Sequence, residues 1–375
     1  MSTGPDERQL AARHKQLYTT MQSAGLDGLA LNPGSSMIYL TGLHFHLSER
    51  PAVILFVPDK TPAVILPELE MAKIKSLPYP VSAFPYGEDP QTWGKVFHQA
   101  IQAVGVADGI IGVEPRALRF LELRLLEVAA PNADFVSAEE SLTSLRMRKD
   151  PSEVEAMQGA VQIAQNAFQA TLPFIKPGRT EREIAAELTV QLLQAGSDAS
   201  IPFTPIVASG PNSANPHATP TDRALTPGDL LIIDWGASHN GYISDLTRTI
   251  AVGEIDTELE RIASIVMEAN AAGRAAVRPG ITAGEIDRIT RAVIDQSGYG
   301  QFFTNRTGHG IGMEGHEDPY IYKENKIPLA AGMAFTIEPG IYLPERGGVR
   351  IEDDIVVTED AGLSLSDLPR DLFYV

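Results

Sequence analysis

The stretch Leu230-Leu-Ile-Ile-Asp234-Trp-Gly-Ala-Ser-His-Asn-Gly-Tyr-Ile-Ser-Asp245 decides how this chain is read. An apolar run ends on Asp234. A polar turn with Asn240-Gly241 follows, and a second extended run carries Asp245 into Leu-Thr-Arg-Thr-Ile. Apolar runs flanking Asn-Gly predict a β-hairpin. A two-residue turn at 239–240 would set Asp234 opposite Asp245, with cross-strand partners about 5 Å apart. Two carboxylates that close on apolar strands repel unless a positive charge lies between them. A divalent cation is the simplest candidate.

The same arrangement recurs near the C-terminus. Leu225-Thr-Pro-Gly-Asp-Leu-Leu-Ile-Ile-Asp234-Trp-Gly matches Leu329-Ala-Ala-Gly-Met-Ala-Phe-Thr-Ile-Glu338-Pro-Gly at an offset of 104. Gly-Tyr-Ile-Ser-Asp245 matches Gly-Val-Arg-Ile-Glu352 at 107. Pro-Gly-Arg-Thr180-Glu-Arg-Glu183 matches Pro-Gly-Ile-Thr282-Ala-Gly-Glu285 at 102. These matches point to an internal duplication. Each half supplies a helix and then a hairpin with two carboxylates. Four carboxylates converge if the halves pack face to face.

At 375 residues the chain has room for two domains. Hydrophobic residues make up 43%, enough for an ordinary globular core. A net charge of −18 disfavours nucleic acid and anionic membrane surfaces as partners. There is no run of 18 apolar residues and no basic-then-apolar start. Neither a membrane span nor a signal peptide is therefore expected, and a cytoplasmic location is the default. With no cysteine there is no disulfide and no thiolate site.

Residues 1–147 predict an α/β domain of alternating helices and strands. Residues 6–24 read as a helix stopped by Gly25, 28–32 as a buried strand and 32–36 as a loop. Residues 52–57 and 63–67 read as a hairpin, 109–114 as a strand and 117–129 as a helix. His44 and His46 are the only chemical candidates there and lack ligand spacing, so a surface loop is expected for them. The boundary falls near Arg146-Met-Arg-Lys-Asp-Pro151. The second domain, 148–375, is predicted to be a duplicated α+β unit with its site between the halves. Its helices are expected to open with the capping boxes Ser152…Glu155, Thr180…Glu183, Thr257…Glu260 and Thr282…Glu285.

Carboxylates suit Mg, Mn or Ca, and an added imidazole draws the preference toward Mn, Fe, Co or Zn. His309, in Thr307-Gly-His-Gly-Ile-Gly312, is the best imidazole candidate, because flanking glycines let the backbone approach a site. His316 follows seven residues on, and His217 sits in Asn215-Pro-His-Ala. Taken singly, Asp234, Asp245, Glu338 and Glu352 each read as turn chemistry or solvated charge, the last within Arg-Ile-Glu-Asp-Asp. Recurring at matched places of a repeat, they are hard to explain that way. Gly310-Ile-Gly312-Met-Glu-Gly315 fits the dinucleotide pattern G-x-G-x-x-G. No apolar strand precedes it and no helix is expected after it, so that reading is set aside.

The set made by Asp234 with Asp245, Gly-His309-Gly-Ile-Gly, Ile-Glu338-Pro-Gly and Arg-Ile-Glu352-Asp resembles the pita-bread metallopeptidases, among them aminopeptidase P and prolidase. The likeness runs from about residue 145 to the end. Tyr39-Leu-Thr-Gly42 and Ser48-Glu-Arg-Pro-Ala52 are similar to the creatinase-like N-terminal domain of the same proteins. The resemblance implies two divalent metal ions, manganese foremost, with cobalt, zinc or iron as alternatives. Asp245 and Glu352 would bridge them, Asp234 would complete one sphere, and His309 and Glu338 the other. It also implies that His217 and His316 contact the scissile amide and the developing oxyanion. Arg350 would brace Asp245, Tyr342 would lie near the substrate, and the protein would be a homodimer.

The implied activity is a dinuclear-metal-dependent Xaa-Pro peptidase of the aminopeptidase P type, which also acts on dipeptides. A strict Xaa-Pro dipeptidase is the alternative. Paired metals activate water and polarise a carbonyl. Glu338 is suited to accept the water's proton and pass it to the leaving nitrogen. In an Xaa-Pro bond that nitrogen has no N–H, so the substrate needs a dedicated pocket. Asn305 stands where many relatives carry a histidine, which removes a titratable group. Prolidases often carry His-Glu-x-Pro-Arg, with the arginine suited to a substrate carboxylate. Here the pattern reads His316-Glu-Asp-Pro-Tyr320, which leans the reading toward longer Xaa-Pro-Yaa peptides, with Arg306 and Arg346 as substitute clamps. A non-catalytic binding module and a lyase on the same fold are rivals. Five filled ligand positions count against the module.

Overall fold

Short apolar runs become strands, and the periodic segments between them become helices, in the first of two units, Met1–Arg146. The computed structural model describes residues 5–75 and 77–375. The order is α1 (Glu7–Ser23), β1 (Gly28–Leu31), α2 (Ser35–Thr41), β2 (Val53–Phe56), β3 (Ala63–Pro67), α3 (Met71–Lys75) and β4 (Ser82–Tyr86). Then come α4 (Trp93–Val104), β5 (Ile110–Val113), α5 (Phe120–Ala129), β6 (Asp134–Ser137) and α6 (Glu139–Arg146). The strands form one mixed sheet ordered β4-β3-β2-β1-β5-β6, the expected α/β arrangement. Two local expectations fail. Pro33 and Gly34 do break the chain, but the serines after them start a helix, α2, that Gly42 ends at φ 70°. Helix α5 starts at Phe120 rather than 117, because the amides of Ala117 and Leu118 turn back onto the carbonyl of Glu114. His44 and His46 are exposed.

The second unit, Met147–Val375, is α+β. Its first half comprises α7 (Pro151–Thr171), α8 (Glu181–Gln194), β7 (Ile206–Ser209), β8 (Leu230–Trp235), β9 (Ser238–His239), β10 (Tyr242–Ile243) and β11 (Leu246–Ala251). Its second half comprises α9 (Thr257–Ala276), α10 (Ala283–Gln296), β12 (Gly308–Gly310), β13 (Glu317–Ile321), β14 (Ala334–Ile337), β15 (Gly340–Leu343), β16 (Gly347–Arg350) and β17 (Asp353–Val357). Strands β18 (Gly362–Ser364) and β19 (Phe373–Tyr374) finish the chain.

The duplication is visible bond by bond. Thr180 and Thr282 form capping boxes with Glu183 and Glu285. The Gly178 amide donates to Leu225 and the Gly280 amide to Leu329, both glycines at φ 87°. Strands β8 and β11 pair antiparallel, as do β14 and β17. Each pair is extended by a short hairpin, β9–β10 or β15–β16.

Three other local expectations are corrected. Helix α7 is capped by Asp150 with Glu153, not Ser152 with Glu155, because Pro151 is preorganised for the first helical position. Helix α9 is capped by Asp256, whose carboxylate accepts from the amides of Glu258 and Leu259, so Thr257 is already helical. The hairpin turn is Asn240-Gly241, with φ 53° and 77°, rather than 239–240. A primed turn needs positive φ at both central residues, which Asn-Gly tolerates. The register moves accordingly. Asp234 pairs with Thr247, and Asp245 lies two positions along the same chain.

Trp235 stacks on Phe168 at 4.5 Å between centroids, and its indole N–H donates to the Ala164 carbonyl at 2.9 Å, fixing β8 to α7. The halves meet where Thr247 and Glu352 form a backbone bridge. Beside it Arg248, 1% exposed, donates to Asp353 Oδ1 at 2.8 Å and to the Glu352 carbonyl at 2.7 Å. Arg370 donates to the other Asp353 oxygen at 2.8 Å. Among the described residues no helix is long and apolar enough to cross a membrane.

Removing one member of a buried ion pair strands the other charge and costs about 3–5 kcal/mol. Asp353→Ala is therefore expected to destabilise the protein by that amount, read as a lower urea midpoint. A shift under about 1 kcal/mol would show that Arg248 is satisfied by carbonyls alone.

Candidate metal centre

Five candidate ligands sit in or beside strands of the second unit. Asp234 lies in β8, Asp245 just before β11, His309 within β12, Glu338 just after β14 and Glu352 just before β17. Strand ends hold side chains on a rigid frame yet leave them space at the seam between sheets. The glycines flanking His309 are required there. A Cβ on Gly308 would lie 1.9 Å from the Thr336 carbonyl oxygen, and one on Gly310 would lie 2.3 Å from that of Asp318.

The structure brings Asp245, His309 and Glu352 together, with one ligand atom of each within 4.8 Å of the others. His309 Nε2 lies 3.7 Å from Asp245 Oδ2 and 3.6 Å from Glu338 Oε1. Asp234 joins through a chain of hydrogen bonds. Arg350 Nη2 donates to Asp234 Oδ2 at 2.6 Å, and its Nε donates to Thr247 Oγ1 at 3.1 Å. Thr247 in turn donates to Glu352 Oε2 at 2.7 Å. The guanidinium expected to brace Asp245 thus braces Asp234, the carboxylate whose partner strand carries Thr247. The Asp245 amide is held instead by Asp354 Oδ2, at 3.0 Å. Arg350 also donates to Tyr342 Oη at 3.0 Å, so the tyrosine is buried against it.

The electrostatics call for a cation. Burial first, then the charges of Glu352 and Asp234, push the Asp245 carboxyl well above the usual range. Burial, then Glu338 and Asp234, does the same to Glu352. Loss of hydration lifts Glu338 to about 7, against the opposing pull of Arg350. Burial, then the charge of His316, lowers His309 to about 3, which keeps its imidazole neutral and able to ligate. Asp234 Oδ1 and Asp245 Oδ1 are buried without a hydrogen-bond partner among the described residues. An unmet buried acceptor costs about 1–3 kcal/mol. A divalent cation satisfies such acceptors, and carboxylates with one neutral imidazole fit such an ion.

The other site candidates surround this group. The His316 ring lies 4.0 Å from the His309 ring, and its Nδ1 lies 3.3 Å from Arg306 Nη2. His217 is exposed, in a loop whose Pro216 carbonyl accepts from Arg350 Nη1 at 3.2 Å. Lost hydration, then the charges of Arg306 and His217, lower the His316 pKa, so both groups lie within electrostatic reach of that ring. Asn305 Nδ2 points at Glu338 Oε2 from 3.5 Å. Arg346 is engaged elsewhere, paired with Asp256 at 2.8 Å and with Glu258.

Sequence reasoning missed Thr247, Asp354 and the pair of buried Lys149 with partly buried Glu317, 2.5 Å apart. Asp353 and Asp354 were legible only as part of an acidic run, the composition of a solvated surface, yet both are fully buried.

This fold and this site define a family. Residues 155–359 match the model of metallopeptidase family M24, and residues 13–148 match the creatinase/prolidase N-terminal domain. The chain belongs to that family and is a metallopeptidase. A Lactobacillus helveticus protein named Xaa-Pro dipeptidase is 34% identical over 95% of this chain and 97% of its own. A solved dipeptidase from Pyrococcus horikoshii superposes with a TM-score of 0.92 at 37% identity, covering 97% of this chain and all of that one. The dipeptidase PepE of Mycobacterium ulcerans superposes at 0.91 and 35%, covering 99% of both chains.

A ligand that binds only the folded state at a hundred times its Kd adds about 2.7 kcal/mol of stability. Manganese or cobalt is expected to raise the melting temperature on that scale, and a chelator to reverse it. Asp245→Asn and Glu352→Gln are each expected to abolish the gain, read by calorimetry and by metal content. A gain retained in both variants would place the ion elsewhere.

Proposed function

We propose that this chain is a dinuclear-metal-dependent Xaa-Pro peptidase, with Asp234, Asp245, His309, Glu338 and Glu352 as its metal ligands. The observation that carries the reading is the convergence of Asp245, His309 and Glu352 within 4.8 Å, beside carboxylate oxygens without a hydrogen-bond partner among the described residues. Manganese suits this donor set best, with cobalt, zinc or iron as alternatives. Bound there, the ions would supply an activated water and a polarised carbonyl. Glu338 accepts the water's proton and delivers it to the proline nitrogen, which has no proton of its own. His316 and His217 donate to the carbonyl oxygen as negative charge grows on it. Arg350 keeps Asp234 and Tyr342 in place through its bonds to both. The reading includes a cytoplasmic homodimer, which light scattering at micromolar concentration tests for its oligomeric part.

Chain length is the finer question. Tyr320 alone favours longer peptides, since it gives no guanidinium fork. The position of Arg306 argues the other way. Its guanidinium lies 4.4 Å above the Tyr320 ring and reaches His316, and among the described residues it forms no ion pair. A free carboxylate directly after proline is the partner it suits. Arg346 is spoken for. The dipeptidase reading therefore gains over the aminopeptidase one.

Reconstitution with each metal, then assay on Xaa-Pro dipeptides, tests the reaction itself. His217→Ala and His316→Ala are each expected to keep metal and lose about 10²–10³ in turnover, the cost of an oxyanion donor. Loss of a metal equivalent in either would make that histidine a ligand. Arg306→Ala is expected to raise KM for an Xaa-Pro dipeptide by at least about tenfold, a loss of about 1.4 kcal/mol, while sparing the matching tripeptide. Equal effects on both peptides would return the reading to aminopeptidase P type.

A further inference from the structure

Glu181 is the first helical residue of α8 and is fully buried. Its carboxylate accepts five donors. Oε1 receives the Ser209 amide at 2.7 Å, the Ser209 hydroxyl at 2.8 Å and Asn212 Nδ2 at 3.0 Å. Oε2 receives the Thr221 amide at 2.9 Å and the Thr221 hydroxyl at 2.6 Å. Ser209 and Thr221 are the two ends of one loop, and His217 lies between them. The Arg182 amide also holds the Thr221 end on the helix, and Arg223 Nη1 donates to the Ser209 hydroxyl at 2.7 Å, but the carboxylate is what ties the Ser209 end to the helix directly. Nearer its tip, the loop is tied to the metal centre by the bond from Arg350 to Pro216.

The duplication supplies an internal control. At the position matching Glu181 the second half carries Ala283. The backbone frame is the same in both halves. The Glu181 amide donates to Arg223 and the Ala283 amide to Ile327; the Arg182 amide donates to Thr221 and the Gly284 amide to Asn325. The fold therefore forms this helix start with a methyl group there. A buried carboxylate costs hydration and is kept only where its bonds repay that cost. In the first half those bonds all run to residues 209–221.

We propose that Glu181 is a positioning residue for catalysis, which fixes both ends of the 209–221 loop and so sets where His217 meets the substrate. The role rests on the placing of His217 at the substrate in the proposed function. Glu181 touches neither metal nor substrate. It acts by fixing the ends of a loop that is otherwise held at Ser213, whose hydroxyl accepts from the Gly348 amide at 2.8 Å, and at Pro216; misplacement by about 1 Å costs up to 10²-fold in rate.

The test combines hydrogen exchange with a double-mutant cycle on the metal-loaded full chain. Glu181→Gln keeps the shape and replaces one acceptor oxygen with a donor that faces donors. Amides of residues 209–221 are expected to exchange at least about tenfold faster, with metal content unchanged. Turnover of an Xaa-Pro dipeptide is expected to fall about 10- to 100-fold in the wild-type background. In a His217→Ala background the same change is expected to cost less than about threefold, because the loop no longer carries the group it positions. Thr221→Val, at an exposed position, removes one donor and is expected to show the same pattern at smaller amplitude, which covers a failure of Glu181→Gln to fold. An equal loss in both backgrounds, or unchanged exchange in 209–221, would overturn the proposal. If the metal-loaded wild type cleaves no Xaa-Pro peptide, the functional reading fails, while the exchange measurement still decides whether Glu181 holds the loop.

Discussion

Thr247 and Glu352 form the contact on which the second unit depends. Each belongs to one half of the duplicated chain. Their backbones bridge, and the threonine hydroxyl donates to the glutamate at 2.7 Å. Joining the halves there forces Asp234, Asp245, Glu338 and Glu352 into a single enclosed region. Like charges that close in low dielectric repel strongly, and each is also short of water. The fold tolerates this only because positive groups hold the rim. Arg350 braces Asp234, while Arg248 and Arg370 neutralise Asp353 one residue from the site. The guanidinium groups stop short of the centre, where Asp234 Oδ1 and Asp245 Oδ1 have no hydrogen-bond partner among the described residues. A scaffold that spends stability this way is organised around a cation.

Duplication explains how so demanding a centre is built from ordinary parts. Each half brings a capped helix, a strand pair and a small hairpin with the same hydrogen bonds. The halves then diverge at positions the frame does not need. Glu181 has become Ala283 in the second half, and the loop anchored by Glu181 carries an exposed histidine. The second half instead places glycines against backbone oxygens on either side of His309, which lets a strand carry an imidazole into the seam. One half thus contributes a positioned loop and the other an imidazole, on a shared frame.

The surroundings of His316 are built in the same economical way. The group of His316, Arg306 and Tyr320 is compact, with a guanidinium stacked on a ring and reaching an imidazole. Stacking holds a guanidinium plane in one orientation and leaves its edge for a planar anion. Of the two arginines that sequence offered as a clamp, only Arg306 lies here. Arg346 is spent on Asp256 and Glu258 at the start of α9.

Much of this protein was readable along the chain. The α/β first unit, the repeat, the Asn-Gly hairpin and the two threonine capping boxes all rest on local rules, and local rules act between neighbours in sequence. The errors were also local, and each had a stronger competitor nearby. Pro151 moved one cap to Asp150, Asp256 took another from Thr257, and the need for positive φ at both turn residues moved the hairpin by one. What sequence could not supply was every contact between halves. Asp353 and Asp354 look like solvated charge until β11 and the C-terminal segment bury them. Arg350 sits near Asp234 and Asp245 alike in any reading of motifs, and only the register, Thr247 against Asp234 with Glu352 beyond, decides that its fork meets Asp234. The candidate ligands were fixed by residue type and repeat, because chemistry resides in side chains. Their support was decided by tertiary structure, because burial and hydrogen-bond partners about 100 residues apart are properties of packing.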